Sequence, residues 1–372
     1  MKDVPNWLTC FFVMYKITYF DFSDLRYSSF FLNGFFANEK EFGYRLSISR
    51  KAPQELEDLQ PFPGWLNEMV PLSLYRVEGD DPFLFCIDGD DKNGSDEPLG
   101  DFYRPFLERC RFYFKVNYNA EVIKESDELK PYASKIKPIP IVYPLALSEP
   151  WRLRPKLTPV GGPLWPPSAM RRRLWFLRQA KSLENYQQLR NSEKDIDLFF
   201  VTTLYHQPKF KELDAKRRVL VDGLNQYEQF KIFAKYVCQD KIEKEICGPH
   251  ETEFMNYEEY LKQSARARLG IYIRGNHDGL SFKFGELMAM GKPIVGETLM
   301  NNKDNMYAYD RFGEQFAYDD PADLIDRVIY LLQNPQELEE LRRTNIETFE
   351  KHFTPKPVVK QILDQIGVFD VK

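Results

Sequence analysis

Apolar positions in the first half of the chain fall into short dense runs: "TCFFVMYKITYF" (9 to 20), "PFLFCI" (82 to 87), "CRFYFKV" (110 to 116) and "IPIVYPL" (139 to 145). Their length and their β-branched and aromatic content predict buried strands. The second half alternates strand and helix patterns. "DIDLFFVTTL" (195 to 204) reads as a strand ending in hydroxyl residues, and a helical stretch follows from about Leu213 to Asn225. "FKIFAKYV" (230 to 237) reads as a further strand, and "NYEEYLKQSARA" (256 to 267) as a helix capped by Asn256 with acids in its first turn. The run Leu269 to Ile273 is a strand, a helix begins near Ser281, Gly291 stops it, and Pro293 to Val295 opens the next strand. Asp320 followed by Pro321 starts another helix, and helical patterns over 321 to 333, 335 to 351 and 355 to 367 close the chain. Strands alternating with helices in this way imply βαβ units and a parallel sheet.

Composition sets the domain count. A chain of 372 residues exceeds the span of one core, roughly 250 to 300 residues, and its 43% hydrophobic content supplies two. From Trp151 to Lys181 there are eight Lys or Arg, no acids, five prolines and three tryptophans. That shift marks a linker or long excursion, passing into a helix near Ala169. The expected division is an N-terminal domain over 1 to 180, a second domain over 190 to 352, and a last helix in 353 to 372.

Charge and cysteine usage narrow the class. The five cysteines (Cys10, Cys86, Cys110, Cys238, Cys247) include no C-x-x-C pair, so a reducing, cytoplasmic setting is expected and no zinc site. The N-terminus shows no small-residue cleavage site after its apolar stretch, so no secretory signal is expected. No apolar run reaches membrane-spanning length. A net charge of −5 gives no general attraction to nucleic acid. The four histidines (His206, His250, His277, His352) have no metal-ligand spacing, so no metal site is expected.

Candidate chemistry concentrates in "RGNHDGLSFKFGELMAMGKPIVGE" (274 to 297). In a doubly wound sheet this loop falls at the carboxyl end of its strand, where ligands bind. Gly275 and Gly279 permit positive φ and close approach of backbone to ligand. Ser281 is a plausible cap, and the free N–H groups behind it form an anion site. Lys283 opposes the helix dipole unless an anion compensates it, and Arg274 adds a second cation, so a phosphate or diphosphate suits the site. Glu286 leans back toward the same crevice, where a carboxylate can accept from a ribose diol.

That stretch resembles the donor-binding segment of glycosyltransferases with the GT-B fold, especially exostosin-like and glycosyl transferase group 1 enzymes. The shared features are the loop, the helix carrying Glu286, and the turn from Ala289 through Gly291 and Pro293 to Val295. Many retaining members carry two glutamates separated by seven residues; here Asp278 stands in the first place and Glu286 in the second. The resemblance implies two Rossmann-like domains facing a cleft, the first for the acceptor and the second for a nucleotide sugar, with the last helix crossing back. It implies Glu286 on the donor ribose, Lys283 or Arg274 on the diphosphate, and Asp278 or His277 on the sugar. Thr202 and Thr203, ending the first strand of the second domain, and Arg217 and Arg218 on the next helix stand near the donor phosphates in such enzymes. The expected reaction moves a sugar from a nucleoside diphosphate sugar to an acceptor hydroxyl, such as that of a glycan, without requiring a metal.

Other segments widen the options. "DGDDKNGSDEPLGD" (88 to 101) carries six acids and one lysine, but its spacing fails the EF-hand pattern. Asp88 or Asp90 at that strand end is a candidate acceptor-activating base. Lys115, Asn117 and Tyr118 follow the strand "CRFYF" and are further candidates to line the cleft. "MRRRLWFLRQAK" (170 to 181) suits peripheral contact with an anionic membrane, or a nucleic-acid backbone. The alternatives to sugar transfer onto a glycan are a glycosyltransferase that modifies DNA bases and a phosphate- or sugar-binding α/β protein without catalysis.

Overall fold

A computed structural model describes residues 15–59, 71–153, 167–205, 207–238 and 250–367. Residues 9–14 of the first apolar run, most of the proline-rich excursion, His206 and Cys247 lie outside the described residues.

The chain forms two α/β domains. In the first, β1 (Tyr15–Phe20) leads through α1 (Leu25–Phe42) to β2 (Tyr44–Ser49), which pairs parallel to β1. Asp24 caps α1 at one end and Gly43, at φ 64°, at the other. β3 (Leu72–Glu78) then runs antiparallel between β1 and β4 (Phe83–Asp88), and β5 (Phe112–Lys115) and β6 (Ile136–Pro138) continue parallel to β4. The sheet order β2-β1-β3-β4-β5-β6 is therefore mixed, not wholly parallel. The run "IPIVYPL" is buried as expected but makes no strand. Prolines at 138, 140 and 144 lack the N–H groups that a ladder needs, so the segment crosses the core as irregular backbone.

The second sheet is fully parallel. Its strands are β7 (Ile196–Leu204), β8 (Ile232–Cys238), β9 (Ala267–Tyr272) and β10 (Ile294–Gly296), in the order β10-β9-β7-β8. The helices that bear on the site lie on either side: α2 (Pro167–Gln179) in the linking region, then α3 (Lys211–Leu224), α4 (Tyr257–Arg266) and α5 (Phe282–Ala289). α6 (Pro321–Gln333), α7 (Pro335–Thr348) and α8 (Pro355–Ile366) follow.

The two domains share apolar packing. One cluster joins Phe30, Phe31 and Tyr143 from the first half to Phe284, Met288, Phe349 and Phe353 from the second. Gly285 lets α5 approach Tyr143 closely: a Cβ there would lie 2.5 Å from the ring. α8 returns to α1, where Asn38 Nδ2 donates to Lys356 O at 2.8 Å and Lys360 Nζ lies 2.8 Å from Glu41. A Cβ on Gly34 would lie 2.4 Å from the Val359 side chain, so the two helices meet backbone to side chain.

Candidate active site

The order β10-β9-β7-β8 makes the chain step from β7 to β8 on one side and then to β9 on the other. The crevice beyond the carboxyl ends of β7 and β9 is thus a topological switch point. Register opens it further. β7 pairs with β8 as far as Leu204↔Cys238, but with β9 only at Ile196↔Ala267 and Leu198↔Leu269. From Phe199 onward the β9-facing edge of β7 is unladdered, and a cavity of about 230 Å³ occupies the gap. Thr202, Thr203, Gly275, Ser281 and Lys283 line it, together with Tyr260 of α4, Arg217 of α3 and Asp91 of the first domain.

Two cations reach this space. Lys283 is exposed, and its Nζ donates at 3.0 Å to Val201 O, one of the carbonyls the strand separation frees, 5.1 Å from the Tyr260 ring centre. Desolvation in the concave wall lowers the Lys283 pKa, opposed by the Glu286 carboxylate. Arg217 is 6% exposed; one terminal nitrogen donates to Thr203 O, and its buried Nε has no hydrogen-bond partner among the described residues. A buried guanidinium with an unused donor beside a cavity favours an anion there. Ser281 occupies the cap position of α5, yet its hydroxyl makes no cap hydrogen bond and remains available to the cavity.

The loop between β9 and α5 is shaped differently from the sequence expectation. Positive φ falls on His277 (56°) and Asp278 (57°), and neither Gly275 nor Gly279 adopts it. Left-handed backbone at two side-chain-bearing residues costs about 1 kcal/mol each, so neighbours must hold it. They come from both domains. Asn93 Nδ2 and Asn301 Nδ2 both donate to His277 O at 3.2 Å, Leu280 N donates to Asn117 Oδ1 at 2.9 Å, and Gly275 N donates to Gly279 O at 3.2 Å. His277 Nδ1 stands 3.0 Å from an Asp96 carboxylate oxygen, across the cleft. Asp278 is exposed on the rim.

Three expected roles change. Arg274 does not face the cavity; its side chain lies 3.1 Å from Asp319 and 3.7 Å from both Glu297 and Asp278, so acids already compensate its charge. Glu286 is 3% exposed and stands behind the cavity wall, accepting from Tyr257 Oη at 2.6 Å. Burial raises its pKa, and the Tyr257 hydrogen bond and Lys283 partly offset that. Asp88 is 1% exposed, and its carboxylate already accepts from Tyr113 Oη (2.6 Å), Lys115 Nζ (2.9 Å) and Asp90 N (2.8 Å). Committed to three donors, it does not reach the cleft as a base. Its neighbour Asp91 does, with a pKa raised to about 6 by burial and by Asp90. Asp90 itself accepts from Lys115 and Asn117 through its main-chain oxygen.

Comparison with known proteins agrees with the resemblance seen in "RGNHDGLSFKFGELMAMGKPIVGE". Residues 216–364, which contain that stretch, match the glycosyl transferase-like family. No curated protein matches the chain at a significant level. Similar solved structures, all GT-B glycosyltransferases, include TarM of S. aureus in complex with fondaparinux, alpha-GlcNAc-glycerol and UDP (10% identity, TM-score 0.42, 75% of this chain and 50% of that one). They also include HepE of Anabaena with UDP and glucose (11%, 0.43, 76% and 70%) and the pneumococcal O-GlcNAc transferase GtfA with UDP and GlcNAc (11%, 0.40, 88% and 53%). The chain spans about half the length of the TarM chain, 49%.

Proposed function

We propose that this protein transfers a glycosyl group from a nucleoside diphosphate sugar to an acceptor hydroxyl. The observation that carries the reading is the cavity at the β7/β9 switch point, where Arg217 and Lys283 converge and Asp91 faces them from the opposite domain. The diphosphate lies between the two cations and the first-turn N–H groups of α5, with Ser281, Thr202 and Thr203 supplying neutral hydrogen bonds. Glu286 acts from behind: its charge favours the protonated form of Lys283. The rim loop with His277 and Asp278 contacts the sugar from the cleft side.

In the reaction the acceptor oxygen bonds to the anomeric carbon while the bond from that carbon to the β-phosphate oxygen breaks. The leaving diphosphate keeps the bonding pair, and Arg217 and Lys283 stabilise its growing charge. The acceptor proton passes to Asp91, whose pKa of about 6 leaves it mostly ionised near neutrality and still basic enough to take a proton. None of these steps draws on a metal. The test is release of nucleoside diphosphate from a panel of nucleotide sugars, with and without glycan acceptors. Turnover that falls when Lys283 or Arg217 is replaced supports the reading. Binding without release would favour a non-catalytic sugar- or phosphate-binding protein.

A further inference from the structure

The helix α2 has two faces of opposite character. Ala169, Arg173 and Phe176 point inward, and both carboxylate oxygens of Asp21 accept from Arg173 at 2.8 Å, fixing the rotation of the helix. The opposite face, at the same helical spacing, is Arg171, Trp175 and Arg178. Trp175 is 53% exposed and both arginines are exposed. Among the described residues none of Arg171, Arg172 and Arg178 has a carboxylate partner, in contrast to Arg152, which Glu39 and Glu149 hold. No acid occurs from Trp151 to Lys181.

From this face we infer that α2 docks the protein on an anionic phospholipid surface. A tryptophan held outward by the fold exposes a large apolar ring with one polar N–H, which suits the boundary between headgroups and acyl chains. Arginines one turn to either side suit lipid phosphates. The protein as a whole carries a net charge of −5, so a negative bilayer repels most of it and attracts this patch, which sets the orientation. Three unpaired arginines neutralise too few phosphates for tight duplex binding, which takes roughly six to ten. No helix among the described residues is long and apolar enough to span a bilayer, so the contact is peripheral. This inference does not depend on the proposed sugar transfer.

The experiment is co-sedimentation with phosphatidylcholine vesicles, with and without phosphatidylglycerol, over a range of salt. Wild-type protein binds the phosphatidylglycerol vesicles, releases at high salt and ignores phosphatidylcholine alone. R171E/R178E lowers binding by about tenfold or more, since each basic residue near an anionic surface contributes several-fold. W175S lowers it several-fold and removes a blue shift in tryptophan emission, while F254S, at a site 85% exposed elsewhere, leaves binding unchanged. The substituted side chains are exposed, so the variants keep the wild-type melting temperature. The inference is overturned if wild-type protein stays in the supernatant with phosphatidylglycerol vesicles, if both α2 variants bind as wild type does, or if duplex DNA displaces the protein from the vesicles through the same face.

Discussion

Replacing Asp91 by asparagine separates the chemistry of the cleft from its binding. The two side chains match in size, so the cavity wall and the cations opposite it are kept, and nucleotide affinity should stay within about twofold. What disappears is a carboxylate whose pKa burial and Asp90 raise to about 6. A base must be unprotonated to act, so wild-type kcat/KM should rise with pH through about 6, from about a tenth of its plateau at pH 5 to about nine-tenths at pH 7. Loss of a positioned base costs about 100- to 10,000-fold, and the rising limb should vanish with it. The assay is nucleoside diphosphate release across that pH range, with nucleotide binding measured in parallel by calorimetry. A variant that keeps the limb, or loses less than about fivefold in rate, refutes the assignment of Asp91.

Other consequences concern stability. Burial lowers the Lys292 pKa to about 6, so the folded state binds fewer protons than the unfolded chain between about pH 6 and 10; stability should rise with pH there, by up to about 1.4 kcal/mol per unit, and K292M should flatten that slope in urea titrations. Tyr257→Phe removes a donor from the buried Glu286 carboxylate and should cost about 2 to 3 kcal/mol near neutral pH. That deficit should shrink in acid, where Glu286 protonates and no longer needs the donor. Asn302→Ala removes hydrogen bonds from its side chain to Val116 O and Ile139 O and puts alanine at φ 57°, for a loss of about 3 kcal/mol; Asn302→Gly should recover part of it, as read by denaturant midpoints.

The second sheet was legible because each of its strands is a compact apolar run bounded by caps, as at Asn256 and Asp320. The first was less so. β2, "YRLSIS", and β3, "LSLYRVE", mix polar and apolar positions, and the dense run "IPIVYPL" looked more like a strand than either. Its prolines, not its hydrophobicity, decide its form. At the site, the helix start at Ser281 and the cation at Lys283 follow from local spacing. The early end of β7–β9 pairing is a matter of register, which no single segment encodes. Positive φ at His277 and Asp278 depends on Asn93, Asn117 and Asn301, all remote in sequence. Asp88 and Asp91 differ by three positions in one acidic run, and only the donors Tyr113 and Lys115, on β5, separate the structural carboxylate from the one that faces the cleft.

The central claim is that the β7/β9 cavity holds a nucleoside diphosphate. Its most direct test is thermal shift with UDP, GDP, ADP, CDP and dTDP on the wild type, K283Q and R217Q. At a hundredfold excess over Kd a bound diphosphate stabilises the wild type by about 2.7 kcal/mol. Loss of one charge-assisted contact should weaken affinity in each variant by about 10- to 100-fold. The account predicts a shift with at least one diphosphate that both variants diminish; no shift with any of the five, or a shift that persists unchanged in both variants, would contradict it.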